Sequence, residues 1–327
     1  MSKKTNPIGV TVKLIGGAVA GWIAYSAFFV NHRMVLPPAI NAKREIFNGK
    51  EVRFLSYYLD KQAAGRPLVL IHSINAAGSS YEMRPIFNHY RTLRPVYALD
   101  LPGFGFSERS DREYSPALYR NAILDFLRDR VGEPADVVAL SLGCEFAAAA
   151  ALEEPELFHS LTMISPSGFT ERNNKRASQQ ASDQGTSDFF YNLLAFPLWA
   201  QPFFDLLSTK PSIRFFLKQS FEGEIDEGLA AYDYLTTHQP GARFAPLYFV
   251  SGKLFTRDAL TAIYEKLKIP VLVLYDRDNF VRFDMLPKLV DTRENWQAVR
   301  IAPTMGLPHF ERMPDVASAL DHFWHEL

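Results

Sequence analysis

The sequence predicts an α/β fold: a mostly parallel central sheet flanked by helices, with an inserted helical cap and an N-terminal apolar helix. Three observations predict it. Short, continuous apolar runs recur along the chain, at Leu68 to Ile71, Val137 to Leu140, Leu161 to Ile164 and Pro270 to Tyr275. Such runs are the mark of strands covered on both faces. Segments of helical length stand between several of them, as βαβ units and a parallel sheet require. The alternation is broken once, from Gly168 to Ile269, by a long aromatic-rich stretch without strand-like runs.

The bulk properties narrow the function. A chain of 327 residues, 47% apolar, can bury a large core as one domain with insertions or as two smaller ones. With 35 basic and 36 acidic residues and a net charge of −1, it has no electrostatic footprint for nucleic acid. Its single cysteine, Cys144, excludes an intramolecular disulfide and a cysteine-rich metal site, and reads as a small buried helix residue. No His, Asp and Glu cluster has metal-ligand spacing, and His322 and His325 read as surface residues. Neither a metal nor a cofactor is expected.

In chain order, residues 1–40 form an apolar anchor segment and linker. From Leu14 to Val30 no charge interrupts the run, which lies at the short end of what spans a bilayer. A membrane contact is expected there, single-pass or peripheral, with a core-packed or amphipathic helix as the other reading. Lys3, Lys4 and Lys13 before the run are matched by Arg33, Lys43 and Arg44 after it, so the side of the membrane stays open. Pro37-Pro38 marks the linker. Residues 41–167 and 270–327 are read as the core, and 168–269 as the cap.

Within the core, Glu45 to Phe54 reads as a hairpin turning at Asn48-Gly49. The strand at Leu68 to Ile71 leads into a small, polar loop, His72 to Ser80. A strand from Pro95 to Asp100 ends in Leu101 to Arg109, and a helix from about Ser115 to Arg130 follows, with Leu118, Ile123, Phe126 and Leu127 apolar. In the cap, Thr170 to Ser187 reads as an exposed segment. The cap holds 18 of the 44 aromatics in 102 residues, more than its share, so part of them serve its own core and the rest line an apolar pocket or entrance. Ala298 to Ile301 is the last strand, and Pro314 opens a helix whose apolar face is Val316, Leu320, Phe323 and Leu327.

The chemistry centres on Ser141. Val137-Val138-Ala139-Leu140 ends as a strand, and Gly143 to Ala151 continues as a tightly packed helix. The hydroxyl thus sits at a strand-to-helix turn so tight that small residues are needed two positions before and after, here Ala139 and Gly143. Ser141 is either a nucleophile or an N-cap; the capping-box partner would fall at Cys144, which cannot serve. A serine nucleophile needs a base and a carboxylate to orient it. His309 follows the last strand and Asp278 the one before it, and loops at the carboxyl ends of parallel strands converge.

With these residues the chain resembles the α/β-hydrolase superfamily from about Glu45 to Leu327. The ordered matches are His72 to Asn75, D-L-P-G-F-G-F-S at Asp100 to Ser107, the turn at Ser141, D-R-D-x-x-V at Asp276 to Val281, and P-H-x-E-x-P-D at Pro308 to Asp315. The resemblance implies Ser141 as nucleophile, Asp278 as acid, His309 as base, and an oxyanion hole from the backbone N–H groups of Leu142 and Ile74. Three residues depart from the pattern. Ala139 and Ser73 stand where glycine is usual, and Tyr275-Asp276 lacks the glycine common before the acidic pair, which keeps Asp276 as a second candidate acid. The triad so implied, together with the aromatic-rich cap and the N-terminal apolar run, leads to the expectation of a cofactor-independent carboxylic-ester hydrolase acting on a small apolar or lipid-like substrate near a membrane. Other reactions of the same triad, namely C–C or thioester hydrolysis, acyl transfer and perhydrolysis, or a non-catalytic tethered binding protein, are the alternatives.

Overall fold

A computed structural model describes residues 7–170 and 184–327, with side chains from residue 16 onward in the first helix. Most of the polar stretch from Thr170 to Ser187, residues 171–183, and Lys3 and Lys4 lie outside the described residues, as does the Lys13 side chain. Helix α1 (Pro7–Phe29) precedes an antiparallel hairpin of β1 (Lys43–Phe47) and β2 (Leu55–Asp60). Asn48-Gly49 does not make the expected two-residue turn. Phe47 pairs with Leu55, so the second arm starts later and the connection is a wider loop. That loop is held from outside, the Lys50 N–H donating to the Asp125 carboxylate at 3.0 Å.

The core continues as β3 (Leu68–Ile71), α2 (Arg84–Tyr90), β4 (Val96–Leu99), α3 (Pro116–Phe126), β5 (Ala135–Leu140), α4 (Gly143–Glu153) and β6 (Phe158–Ile164). Ser115 caps α3, its hydroxyl accepting the Leu118 N–H. The helix ends in a widened turn closed by Gly132 at φ 79°. Then come α5 (Gln184–Leu194), α6 (Ala200–Leu207), α7 (Lys210–Lys218), α8 (Glu227–Thr237), α9 (Phe244–Val250) and α10 (Ala259–Ala262). The sheet resumes with β7 (Val271–Tyr275), α11 (Leu286–Thr292) and β8 (Trp296–Arg300), followed by α12 (Pro308–Glu311) and α13 (Met313–His325).

The eight strands form one sheet in the order β1-β2-β4-β3-β5-β6-β7-β8, parallel from β4 through β8. Its apolar runs bury both faces, and alternate residues go to opposite cores. Val69, Ile71, Val137, Ala139, Val271 and Val273 join α3 and α4, while Leu68, Leu70, Val138, Leu140, Leu272 and Leu274 join α2 and α13. Each such side chain contributes roughly 1.5–3 kcal/mol by leaving water. The small residues of α4 let it lie close to α3, where Phe146 stacks on Tyr119 with ring centroids 4.8 Å apart.

The register fixes where chemistry can occur. Ile71 pairs with Leu99 and Ala139, Leu140 with Ile164, Ile164 with Leu274, and Tyr275 with Arg300. The loops beginning at His72, Asp100, Ser141, Asp276 and Ile301 therefore leave the same edge of the sheet.

Two expectations need correcting. Leu327 lies beyond the end of α13 and is exposed, so the buried face of that helix is Val316, Leu320 and Phe323. Among the inserted helices, Phe204 and Phe221 are buried, but Phe189, Phe190, Phe196, Phe215 and Phe216 are exposed rather than lining an interior. Of the adjacent pairs, Phe203–Phe204 turns one member inward, whereas both members of Phe189–Phe190 and of Phe215–Phe216 face outward.

Candidate active site

Ser141 occupies the turn between β5 and α4 with φ 52°, a left-handed conformation that a non-glycine residue rarely adopts. The turn is pinned on both sides: Ser141 N–H donates to the Ile164 carbonyl at 2.8 Å, and its own carbonyl accepts the Cys144 N–H at 3.0 Å. Gly143 is required because a Cβ there would lie 2.5 Å from the His72 carbonyl oxygen. Ala139 is tolerated because it still belongs to the strand, fully buried and paired with Ile71 and Met163. Cys144 is buried, its thiol facing the Ala139 carbonyl at 3.2 Å, and burial pushes that thiol up.

The loop after β3 lies against this turn and is braced from three sides. His72 is fully buried; its Nδ1–H donates to the Ser73 carbonyl at 2.6 Å and its Nε2 accepts the Leu101 N–H at 2.9 Å, which fixes the tautomer. Burial holds its pKa below the usual histidine value, so the ring is neutral. Glu82 accepts from Ser73 N–H at 2.8 Å, Ser73 Oγ at 2.9 Å and Asn75 Nδ2 at 2.8 Å. Ser73, where glycine is usual, thus gains a second tether from its own side chain. The Asp100 carboxylate completes the brace, accepting from Ser80 N–H and Oγ and from Phe106 N–H. Gly105, at φ 51°, lets that loop wrap the carboxylate. Neither Ile74 N–H nor Leu142 N–H meets an acceptor among the described residues.

The two candidate acids are placed differently. Asp276 is buried and engaged at both oxygens, by Arg300 Nε at 2.6 Å and Thr304 N–H at 2.9 Å. Burial pushes it up, but the Thr304 N–H and the Arg300 guanidinium outweigh that and hold it below the usual carboxylate range. Asp278 is half-buried and has no cationic partner among the described residues; its Oδ1 accepts the Phe280 and Val281 N–H groups at 2.6 and 3.2 Å. Burial raises its pKa to about 6 against those two donors. Its Oδ2 lies beside Gly306, on the loop that carries His309.

His309 is fully buried, and burial lowers its pKa to about 4. Its Nε2–H donates to the Glu82 carbonyl at 2.7 Å, and its Nδ1 has no partner. The fold therefore brings the loops of Ser141, Asp278 and His309 to one sheet edge without joining their side chains by hydrogen bonds. Glu82 contacts both the loop after β3 and His309, and sequence reasoning missed it. The one trace of it in the sequence is an acid just after the small, polar loop His72 to Ser80, in S-S-Y-E-M. Among the described residues no three His, Cys, Asp or Glu side chains gather as a metal would require.

Helix α1 also reaches this half of the molecule. It covers the run from Leu14 to Phe29, but among the described residues no helix is long and apolar enough to cross a membrane. Instead it packs on α6. Trp22 Nε1–H donates to the Pro202 carbonyl at 2.8 Å, while Ser26 Oγ at 2.6 Å and His32 Nε2 at 2.9 Å both reach the buried Asp205 carboxylate.

The sequence matches the Alpha/beta hydrolase family over residues 68–326. It is 31% identical over 120 residues to the uncharacterized hydrolase YugF of Bacillus subtilis, a stretch covering 36% of this chain and 43% of that protein. The chain thus spans under half the length of the curated relatives it matches first. The structure resembles a putative lipase from Acinetobacter baumannii, with TM-score 0.69 and 18% identity over 96% of this chain and 95% of that one. It also resembles a membrane phospholipase A, with TM-score 0.67 and 17% identity over 98% and 95% of the two chains.

Proposed function

Because the chain belongs to the alpha/beta hydrolase family, we propose that it is a serine hydrolase cleaving the carboxylic ester of an apolar or lipid-like substrate through an acyl-enzyme. The observation that carries this reading is Ser141 at φ 52° on a turn pinned at both ends, because a conformation costing roughly 1–3 kcal/mol persists where function needs it.

In the proposed mechanism Ser141 Oγ attacks the ester carbonyl carbon while His309 takes its proton. The N–H groups of Ile74 and Leu142 receive the charge that forms on the carbonyl oxygen. The tetrahedral species collapses, the alcohol leaves with the proton from His309, and an acyl group remains on Ser141. Water, deprotonated by His309, then releases the acid. Asp278 stabilises the imidazolium and sets its orientation, a role for which Asp276 is unsuited because Arg300 and Thr304 occupy it. For this the His309 ring must turn from the Glu82 carbonyl toward Ser141; such contacts often tighten only when substrate binds. The inserted helices act as a cap, and α1 as a peripheral membrane contact.

The test is a fluorophosphonate probe followed by nitrophenyl esters from acetate to palmitate. Labelling is expected in the native chain and lost in Ser141→Ala, with turnover favouring the longer acyl chains. Labelling that survives in Ser141→Ala sinks the proposal.

A further inference from the structure

The inserted helices expose apolar side chains together with basic ones. Helix α7 buries Ile213 while Phe215 and Phe216 stand 60% and 46% exposed, inverting the usual placement of aromatics on a surface helix. Leu206 on α6 is also exposed. On α1, docked to α6 through Trp22 and Ser26, Phe28 and Phe29 are 81% and 75% exposed. Apolar exposure on helices that pack in series, α1 on α6 and α6 on α7, marks an interaction surface.

Charge indicates what covers it. From Phe196 to Ser220 the cations are Lys210, Arg214 and Lys218, and the one acid, Asp205, is buried against α1. All three are exposed, Arg214 being ion-paired with Glu227 of α8 at 2.6 Å, while Lys210 and Lys218 have no carboxylate partner among the described residues. A second copy of this chain meeting the same face about a two-fold axis would bring like charges together. Anionic lipid headgroups would instead pair with Lys210 and Lys218 while the phenylalanines enter the acyl boundary.

We propose that the face formed by α1, α6 and α7 docks on an anionic lipid bilayer, so that the cap itself, and not α1 alone, rests in the interface. This rests on reading α1 as a peripheral membrane contact. It adds that an apolar ester can pass from the bilayer to the cap without crossing water.

The full chain is mixed with vesicles of phosphatidylcholine alone or of equal parts phosphatidylcholine and phosphatidylglycerol, then sedimented. A Phe215→Cys variant carries an environment-sensitive thiol label, Cys144 being buried. Binding is expected to favour the anionic vesicles, the label to shift blue on binding, and Phe215→Ser/Phe216→Ser to bind at least about tenfold more weakly at an unchanged melting temperature. A bound chain whose label does not shift, and whose double variant binds like the native chain, overturns cap docking and leaves α1 as the contact. If the native chain sediments with neither vesicle, the membrane reading itself fails. Dimers that the double variant dissociates, without vesicle binding, assign the face to a second copy and overturn the proposal.

Discussion

Asp278 Oδ2 lies so close to Gly306 that a Cβ at that position would sit 2.7 Å from it. The loop after β7 and the loop after β8 are therefore in contact three residues before His309, and the absence of a side chain at 306 is what permits it. Gly306→Ala is expected to push Asp278 aside and lower kcat on the order of tenfold to a hundredfold, with a small change in melting temperature. Steady-state kinetics beside a thermal melt would check this; unchanged kcat would mean that Asp278 does not act through this contact.

Ser141 keeps a left-handed backbone that glycine adopts without strain. Ser141→Gly is expected to abolish turnover and raise stability by about 1 kcal/mol, the relief of strain being partly offset by the freer unfolded chain. Chemical denaturation reads the second effect, and a loss of stability would contradict the strained-turn account.

Glu82 holds Ser73 and Asn75 through charge-assisted hydrogen bonds. Glu82→Gln presents an amide to groups that all donate, so the loop carrying Ile74 N–H is expected to lose its position. A fall in kcat of about a hundredfold with KM little changed is expected, since the oxyanion forms only in the transition state. A change confined to KM would place Glu82 in substrate binding instead.

The two acids should separate by pH. With Asp278 raised to about 6 and His309 lowered to about 4, both hold their working forms, carboxylate and neutral imidazole, only above about pH 6. kcat/KM is expected to climb through a limb near pH 6 and then level. Asp278→Asn should remove that limb and lower kcat by roughly 10³–10⁴-fold. Because the folded-state value is raised, protonation of Asp278 favours folding below the unfolded value of about 3.9, and that contribution is lost as pH rises through about 6. Asp278→Asn is therefore expected to be the more stable chain at pH 8 and to lose that advantage below about pH 4. Asp276→Asn should behave in the opposite way, retaining activity and losing stability as the buried partner of Arg300. Measured pH profiles of both variants decide the assignment.

The parallel sheet was legible because strands buried on both faces must be apolar at every position, which Leu68 to Ile71 and Val271 to Tyr275 are. Strand β2 was not legible: L-S-Y-Y-L-D is buried at each position although Ser56 and Asp60 are polar, and Asn48-Gly49 mimicked a hairpin tip nearby. Ser141 announced itself through the small residues its turn demands. Glu82 did not, because an acid that braces a loop carries no local periodicity and is recognised only by the donors it gathers; Asp100 stood out only as part of a motif, without its bracing role. The exposed phenylalanines of α7 have the same composition as a core, and only the fold reveals that they face outward.

The strand carrying Ser141 has β3 and β6 as its neighbours, and both precede the inserted helices, whereas Asp278 and His309 come after them. During synthesis a ribosome would thus release every strand that shapes the Ser141 turn about a hundred residues before it releases Asp278 or His309. Under the proposed mechanism, translation order separates positioning the hydroxyl from arming it, so a nascent chain stalled after β6 is expected not to cleave an ester.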